Sequence, residues 1–315
     1  MAQNRAISAV KKFIFGRVDG PNIYGAQSIG GTSAIRILAD VIKEEITDRV
    51  SIPNPTWENH ENVFGKVGFK IDKYPYPKGM FEHIAKLPKK TVVLLHAVCH
   101  NPTGHDLTKE EWQKLEKLMR EKELIPFFDN AYQGFGAGYD EDMWAIRYFI
   151  EQGQECFVAN SFSKTFALYG ERIGAAFVIM KDQEVYDKVK RNVRFHIRTN
   201  YSSPPRQGAH IVKLILQTPK LFAMWEKEIT ACRKRMESNR KLFAEKLREK
   251  GVDVPLKEIE KGRGFFCLLG LNKEAELRLR NAFGVYTAGL SRVNLTALTK
   301  KNIDYVVDSI QSVCK

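Results

Sequence analysis

The sequence predicts an α/β fold: a large domain on a mainly parallel central sheet flanked by helices, then a smaller α+β domain. Three observations predict it. Short apolar runs at 91–97, 124–129, 156–159 and 175–180 alternate with amphipathic stretches of helical spacing. Runs too short for a helix and bounded by turn residues read as buried strands, and strand–helix alternation builds a parallel sheet. After Pro204-Pro205 the alternation stops, and 210–217 and 221–250 read as helices, the second highly charged and long enough to bridge domains. Beyond that, only segments near 265–269 and 291–295 read as strands. The boundaries follow: a large domain over 1–231 and a small one over 232–315, joined by the helix at about 221–250.

Each element has a local reason. The first eighteen residues carry Arg5, Lys11, Lys12 and Arg17 and no acid. A fragment of organelle-targeting peptide has that composition, but Ala6, Val10 and Phe13 at helical spacing favour a surface helix with one buried face. Gly30-Gly31-Thr32-Ser33-Ala34 precedes Ile35, Leu38, Ala39 and Ile42, so a helix starts there. Over 109–122, Trp112, Leu115, Leu118 and Met119 form one apolar face with charges opposite.

Bulk properties exclude several classes. The 315 residues are 43% hydrophobic, as in ordinary globular proteins. No apolar run reaches the roughly 18 residues that cross a bilayer, and the start has no secretory h-region. The five cysteines (Cys99, Cys156, Cys232, Cys267, Cys314) are scattered without a CxxC pair, which fits free thiols in a reducing compartment, taken here as the cytoplasm. The net charge of +13 raises nucleic-acid binding, yet the basic residues are interleaved with acids, as in Lys109-Glu110-Glu111. A solvated basic surface that draws in anionic ligands is the better reading, with no nucleic acid and no membrane as partner.

The candidate chemistry lies at the ends of the predicted strands, where open α/β sheets form their sites. Lys164 sits in Ser161-Phe162-Ser163-Lys164-Thr165, just after an apolar run, and Arg172 follows eight residues later. A lysine held among small hydroxyls and partly desolvated can act as a neutral nucleophile, and the hydroxyls with the arginine suit a phosphate ester. Together they read as an attachment site for pyridoxal phosphate. Gly30-Gly31 ahead of a helix offers free N–H groups to an anion, or an ordinary helix cap. Asp129, in Phe127-Phe128-Asp129-Asn130-Ala131-Tyr132, is a carboxylate among aromatics that needs a partner, and a protonated pyridine nitrogen supplies one. Tyr132 and Asn101 can hydrogen-bond a cofactor oxygen, and Trp57 can stack on a planar ring or pack in the core. His96, Cys99, His100 and His105 follow no usual zinc spacing, so no metal is expected.

Five motifs, Asn-Pro-Thr-Trp-Glu-Asn-His (54–60), His-Asn-Pro-Thr-Gly (100–104), Phe-Phe-Asp-Asn-Ala-Tyr-Gln-Gly-Phe (127–135), Ser-Phe-Ser-Lys-Thr-Phe (161–166) and Tyr-Gly-Glu-Arg-Ile-Gly (169–174), stand in this order. With them the chain resembles the aspartate aminotransferases of the fold type I, class I aminotransferase family, from about Gly25 to the C-terminus. The resemblance implies a pyridoxal-phosphate enzyme exchanging amino groups between aspartate and 2-oxoglutarate. A broad-specificity or aromatic aminotransferase, or an inactive homologue, is the alternative. Lys164 matches the Schiff-base lysine, which also shuttles the proton. Asp129 matches the partner of the pyridine nitrogen, with His60 supporting it. Asn101 and Tyr132 match the partners of the phenolic oxygen, Trp57 the stacking ring, and Ala131 the packing under the opposite face. Gly31, Thr32, Ser161, Ser163 and Arg172 match the phosphate cup. Arg292 matches the arginine that clamps the α-carboxylate. Arg198 matches the one that reaches the distal carboxylate across a homodimer interface, so amino and oxo dicarboxylic acids and a second copy of the chain are the implied partners.

Two departures stand out. Family members carry a segment ahead of the region matched by residues 1–25, which supplies an arm over the partner, part of the small domain and a tyrosine for the partner's phosphate. The expectation is either a truncated gene sequence or a shortened relative, with domain closure, cofactor retention and activity at issue. The second departure is Tyr201, where the family places tryptophan.

Overall fold

The computed structural model describes residues 2–16 and 22–314. Its contacts divide the chain into two units, the first Met1–Val98 with Leu107–Ile229, the second Cys99–Asp106 with Thr230–Lys315. The eight-residue loop Cys99–Asp106 thus leaves the first unit, and nothing in its composition announced this.

The first unit is organised by seven strands: β1 (Ile23–Ser28), β2 (Arg49–Asn54), β3 (Lys70–Pro75), β4 (Val92–His96), β5 (Ile125–Asn130), β6 (Cys156–Ser161) and β7 (Gly174–Ile179). Their order is β1-β7-β6-β5-β4-β2-β3. β3, β2, β4, β5 and β6 run parallel, while β7 is antiparallel to both neighbours. The four apolar runs read as strands fall on β4 to β7. Successive residues alternate between two cores: Val92, Leu94, Phe127 and Phe157 face one, Val93, Leu95, Phe128 and Val158 the other. Both faces are therefore covered, which is why these strands read as unbroken apolar runs.

The helices follow their sequence signals. In Ala2–Phe15, Ala6, Val10 and Phe13 are all buried; Arg17 and the Arg5 side chain lie outside the described residues. Helix Lys109–Glu121 opens with a capping box: the Thr108 hydroxyl accepts from the Glu111 N–H, and the Glu111 carboxylate accepts from the Thr108 N–H at 2.8 Å. Such a cap contributes about 1 kcal/mol. Helix Pro219–Glu249 runs for 31 residues.

In the second unit a two-stranded antiparallel sheet, β8 (Phe266–Leu268) and β9 (Arg292–Asn294), packs with helices around Phe243, Leu247, Leu279 and Ile310. Among the described residues no helix is long and apolar enough to cross a membrane.

Candidate active site

At the carboxyl ends of β4, β5 and β6 the register sets His96 beside Asp129 and Asp129 beside Ala159, with Ser161 two residues further along β6. Asp129 is buried at the end of a strand of four apolar or aromatic residues, so its charge needs compensation. His60 supplies it from helix Asn59–Val67. Its Nε2 lies 3.0 Å from Asp129 Oδ2, and the ring is fully buried. A chain continues behind it: Thr56 Oγ1 is 2.8 Å from His60 Nδ1 and 3.1 Å from His96 Nε2. One assignment satisfies every group: His96 donates to Thr56, Thr56 donates to His60, and His60 donates to Asp129. Trp57 meets the His60 ring edge-on at 5.2 Å.

The electrostatics follow. Burial alone raises the Asp129 pKa, but the hydrogen bond from His60, with the electrostatic influence of His60, His96 and Lys164, outweighs it and holds the carboxyl below its ordinary range. His96 is pushed down to about 3, chiefly by burial and then by His60, so it is neutral near neutral pH. Lys164 lies with its Nζ 4.2 Å from the centre of the Tyr132 ring. Burial lowers its pKa, with Asp129 opposing, which moves the amine toward its neutral, nucleophilic form.

The loop bearing Lys164 is fixed on both sides. Thr165 Oγ1 donates to the Gln133 carbonyl at 3.0 Å, linking it to the turn after Tyr132. Trp225 Nε1 donates to the Thr165 carbonyl at 2.9 Å, and its ring stacks on Phe166. The turn after Tyr132 is held by buried Asp142, whose carboxylate accepts the N–H groups of Gly134, Gly136, Ala137 and Gly138.

An anion cradle lies beside Ser161. Helix Gly31–Glu45 starts with its free N–H groups beside Ser161 and Arg172. A Cβ on Gly31 would lie 2.9 Å from Ser161 Cβ, and one on Gly30, at φ +97°, 2.4 Å from Arg172 Nη2. The glycines are what let backbone and guanidinium approach one space. Arg172 is steered there by donating to the carbonyls of Tyr169 at 2.7 Å and Ile29 at 3.3 Å. Ser161 Oγ accepts the Ser163 N–H at 3.3 Å, and Thr32 follows in the helix's first turn. Hydroxyls, a helix N-terminus and a guanidinium are the donor set a phosphate ester requires. The residues present therefore fit pyridoxal phosphate.

In the second unit Arg292 Nη1 donates to Asn101 Oδ1 at 2.8 Å, and its guanidinium lies over the Phe266 ring at 4.6 Å. Both faces of recognition, a fork and its orientation, are present there. Arg198, in the first unit, is exposed near the end of helix Tyr186–Asn200 and donates to Ser202 Oγ. Ala131 is half-buried between Asn130 and Tyr132. Tyr201 donates its hydroxyl to the Gln27 carbonyl at 3.2 Å. Sequence reasoning missed Thr56, and weighed His96 only as a metal ligand; among the described residues no group of three or more ligating side chains is placed to hold a metal.

Known proteins similar to this chain point to one family. The family model for aminotransferase class I and II matches residues 6–310. The aspartate aminotransferase of Escherichia coli is 40% identical over 298 residues, covering 91% of this chain and 75% of that protein. Among solved structures, the aromatic-amino-acid aminotransferase of Burkholderia pseudomallei, covalently bound to pyridoxal phosphate, is similar with a TM-score of 0.94 at 36% identity, over 99% of this chain and 82% of that one. The mitochondrial aspartate aminotransferase of Trypanosoma brucei reaches a TM-score of 0.95 at 31% identity, over 99% and 86%.

Proposed function

The chain belongs to the class I and II aminotransferase family, and from that premise we propose that it is a pyridoxal-phosphate enzyme exchanging amino groups between L-aspartate and 2-oxoglutarate, yielding oxaloacetate and L-glutamate. The observation that carries the reading is the Lys164 amine, desolvated over Tyr132 and facing the charge of buried Asp129. The bound cofactor supplies an aldehyde to carry the amino group and a ring that draws electrons from the substrate α-carbon. The chain's own residues do the rest.

Asp129, kept ionised by His60, would hold a proton on the ring nitrogen. Lys164 Nζ takes the proton from the substrate α-carbon and delivers it for the return step, and burial, by lowering its pKa, favours the neutral amine that this needs. The N–H groups around Gly31, with Thr32, Ser161, Ser163 and Arg172, would hold the phosphate. Trp57 and Ala131 would hold the ring between them, and Tyr132 and Asn101 would serve its phenolic oxygen. Arg292 takes the α-carboxylate as a two-toothed fork. Arg198 serves the distal carboxylate in a second copy of the chain, so the working form is a homodimer. The five free cysteines support a reducing compartment, and we take the chain as cytoplasmic.

The likeness to an aromatic-amino-acid aminotransferase favours a second reading, of broad specificity. Relative kcat/KM for tyrosine and aspartate separates the two. The primary test is the visible spectrum of the protein with pyridoxal phosphate. A band that bleaches with aspartate and returns with 2-oxoglutarate is expected. A band that aspartate leaves unchanged rejects transamination of aspartate by this chain.

A further inference from the structure

Helix Pro219–Glu249 buries Met236, Arg240, Phe243 and Leu247 along one face. Three are apolar core residues; the fourth is a guanidinium only 4% exposed. A charge at a core position is expensive unless its donors are used. Arg240 uses them on backbone: Nη1 donates to the Ile259 carbonyl, and Nη2 to those of Gly264 and Phe266, each at 2.9 Å.

The carbonyls belong to the segment that leads into β8, and that segment is stitched to the Cys99–Asp106 loop. The Arg263 N–H donates to the Gly104 carbonyl at 2.6 Å. A Cβ on Gly104 would stand 2.6 Å from the Phe266 carbonyl oxygen and 3.3 Å from Arg240 Nη2. A Cβ on Gly264 would meet that of Cys99 at 2.4 Å. Glycine is required at both contacts for loop and segment to close on each other. The two stretches joined here carry the two groups that hold Arg292: Asn101 on the loop, and Phe266 at the start of β8.

We propose that Arg240 is a positioning residue for carboxylate recognition: by clamping 259–266 against the Cys99–Asp106 loop, it fixes Asn101 and Phe266 and so sets the plane of the Arg292 guanidinium. Arg240 itself touches no substrate. The inference rests on the reading of Arg292 as the carboxylate fork. Phe266 itself carries one of the clamped carbonyls, and Asn101 lies three residues before Gly104, whose carbonyl accepts the Arg263 N–H, so a shift of the clamped segment moves Asn101 and the Phe266 ring directly. A fork misaligned by a rotation of its plane loses its two parallel hydrogen bonds to a carboxylate while keeping its charge.

The test is a double-mutant cycle of Arg240→Met and Arg292→Ala on the cofactor-loaded protein, reading the Kd of succinate by calorimetry and KM against kcat for aspartate. Hydrogen exchange of 99–106 and 259–266 is read in parallel. Arg240→Met is expected to weaken succinate and raise KM by roughly tenfold, to change kcat far less, and to speed exchange in both segments. In the Arg292→Ala background it should change succinate binding no further. No loss from Arg240→Met, or an equal loss in both backgrounds, overturns the inference, since a general structural defect acts with or without the fork. Arg240→Lys, which keeps the charge but not the three-carbonyl span, gives the same comparison if the methionine variant does not fold. If Arg292→Ala alone leaves succinate binding intact, the fork reading itself has failed, which is a different result from an intact fork indifferent to Arg240.

Discussion

Asp129 in the first unit and Arg240 in the second are both buried charges, and they are compensated in opposite ways. The carboxylate is met by His60, then Thr56 and His96, with Lys164 nearby. The guanidinium is met by three backbone carbonyls. Imidazoles and amines titrate; carbonyls do not. A charge held by titrating partners responds to pH and to a cofactor's own proton, which chemistry needs. A charge held by backbone is a fixed bracket, which positioning needs. On the proposed function, the difference separates a buried charge that serves chemistry from one that serves the fold.

The largest effects should come from the titrating side. Lys164→Ala is expected to lower transamination by about 10⁴-fold or more, since nucleophile and proton carrier go together, while circular dichroism stays unchanged. Survival of turnover would remove Lys164 from the mechanism. Asp129→Asn keeps the size and one hydrogen-bond acceptor but loses the charge, and kcat should fall on the order of 10²–10³-fold. If Asp129→Asn cost no more than a surface substitution, the contrast with Arg240 would collapse, because neither charge would then be chemical.

Next in size is Arg292→Lys. Lysine keeps the charge and loses the fork, so binding of both aspartate and 2-oxoglutarate should weaken by about 2–5 kcal/mol with the cofactor spectrum unaltered. Substrate-dependent bleaching titrations check this. An unchanged apparent affinity would show that charge alone suffices at that position, and that orientation by Asn101 and Phe266 is without effect.

The sequence made the strands β4 to β7 legible because each is buried on both faces. It hid β1 to β3 for separate physical reasons. β1 contains Gly25, which reads as a breaker; a Cβ there would lie 2.5 Å from the Phe177 ring, so the glycine serves close packing. β2 carries Pro53 near its end. β3 is an edge strand with exposed Lys70 and Lys73, the polar composition that protects edges. Within the site, Lys164, Asp129 and the glycine turn were readable because their local motifs carry the chemistry. Thr56 was not, since its link to His96 spans forty residues and depends on strand order. Arg240 sits among Arg233, Lys234 and Arg235 in a charged helix, and composition cannot say which of them is buried. Its spacing from Met236 and Phe243 was the available signal.

The smallest effect tests the titrating chain itself, through stability. His96 in the folded protein is pushed down to about 3, whereas an unfolded histidine takes its proton below about 6.5. As pH falls through that window the unfolded chain gains a proton that the folded one refuses, so stability is lost toward acid. Asp129, whose folded pKa is also lowered, adds loss of the same sign below about 4, where an unfolded aspartate protonates. His96→Gln keeps a side-chain amide that can donate to Thr56 and removes the titration. Urea denaturation between about pH 6.5 and 3 should then give a slope of stability against pH smaller by up to about 1.4 kcal/mol per unit, with little change above pH 7. Arg240→Lys should leave that slope alone, because its carbonyl partners carry no proton to lose. An acid limb unchanged by His96→Gln would mean that the buried imidazole does not stay neutral, and that the chain behind Asp129 is as fixed as the bracket in the second unit.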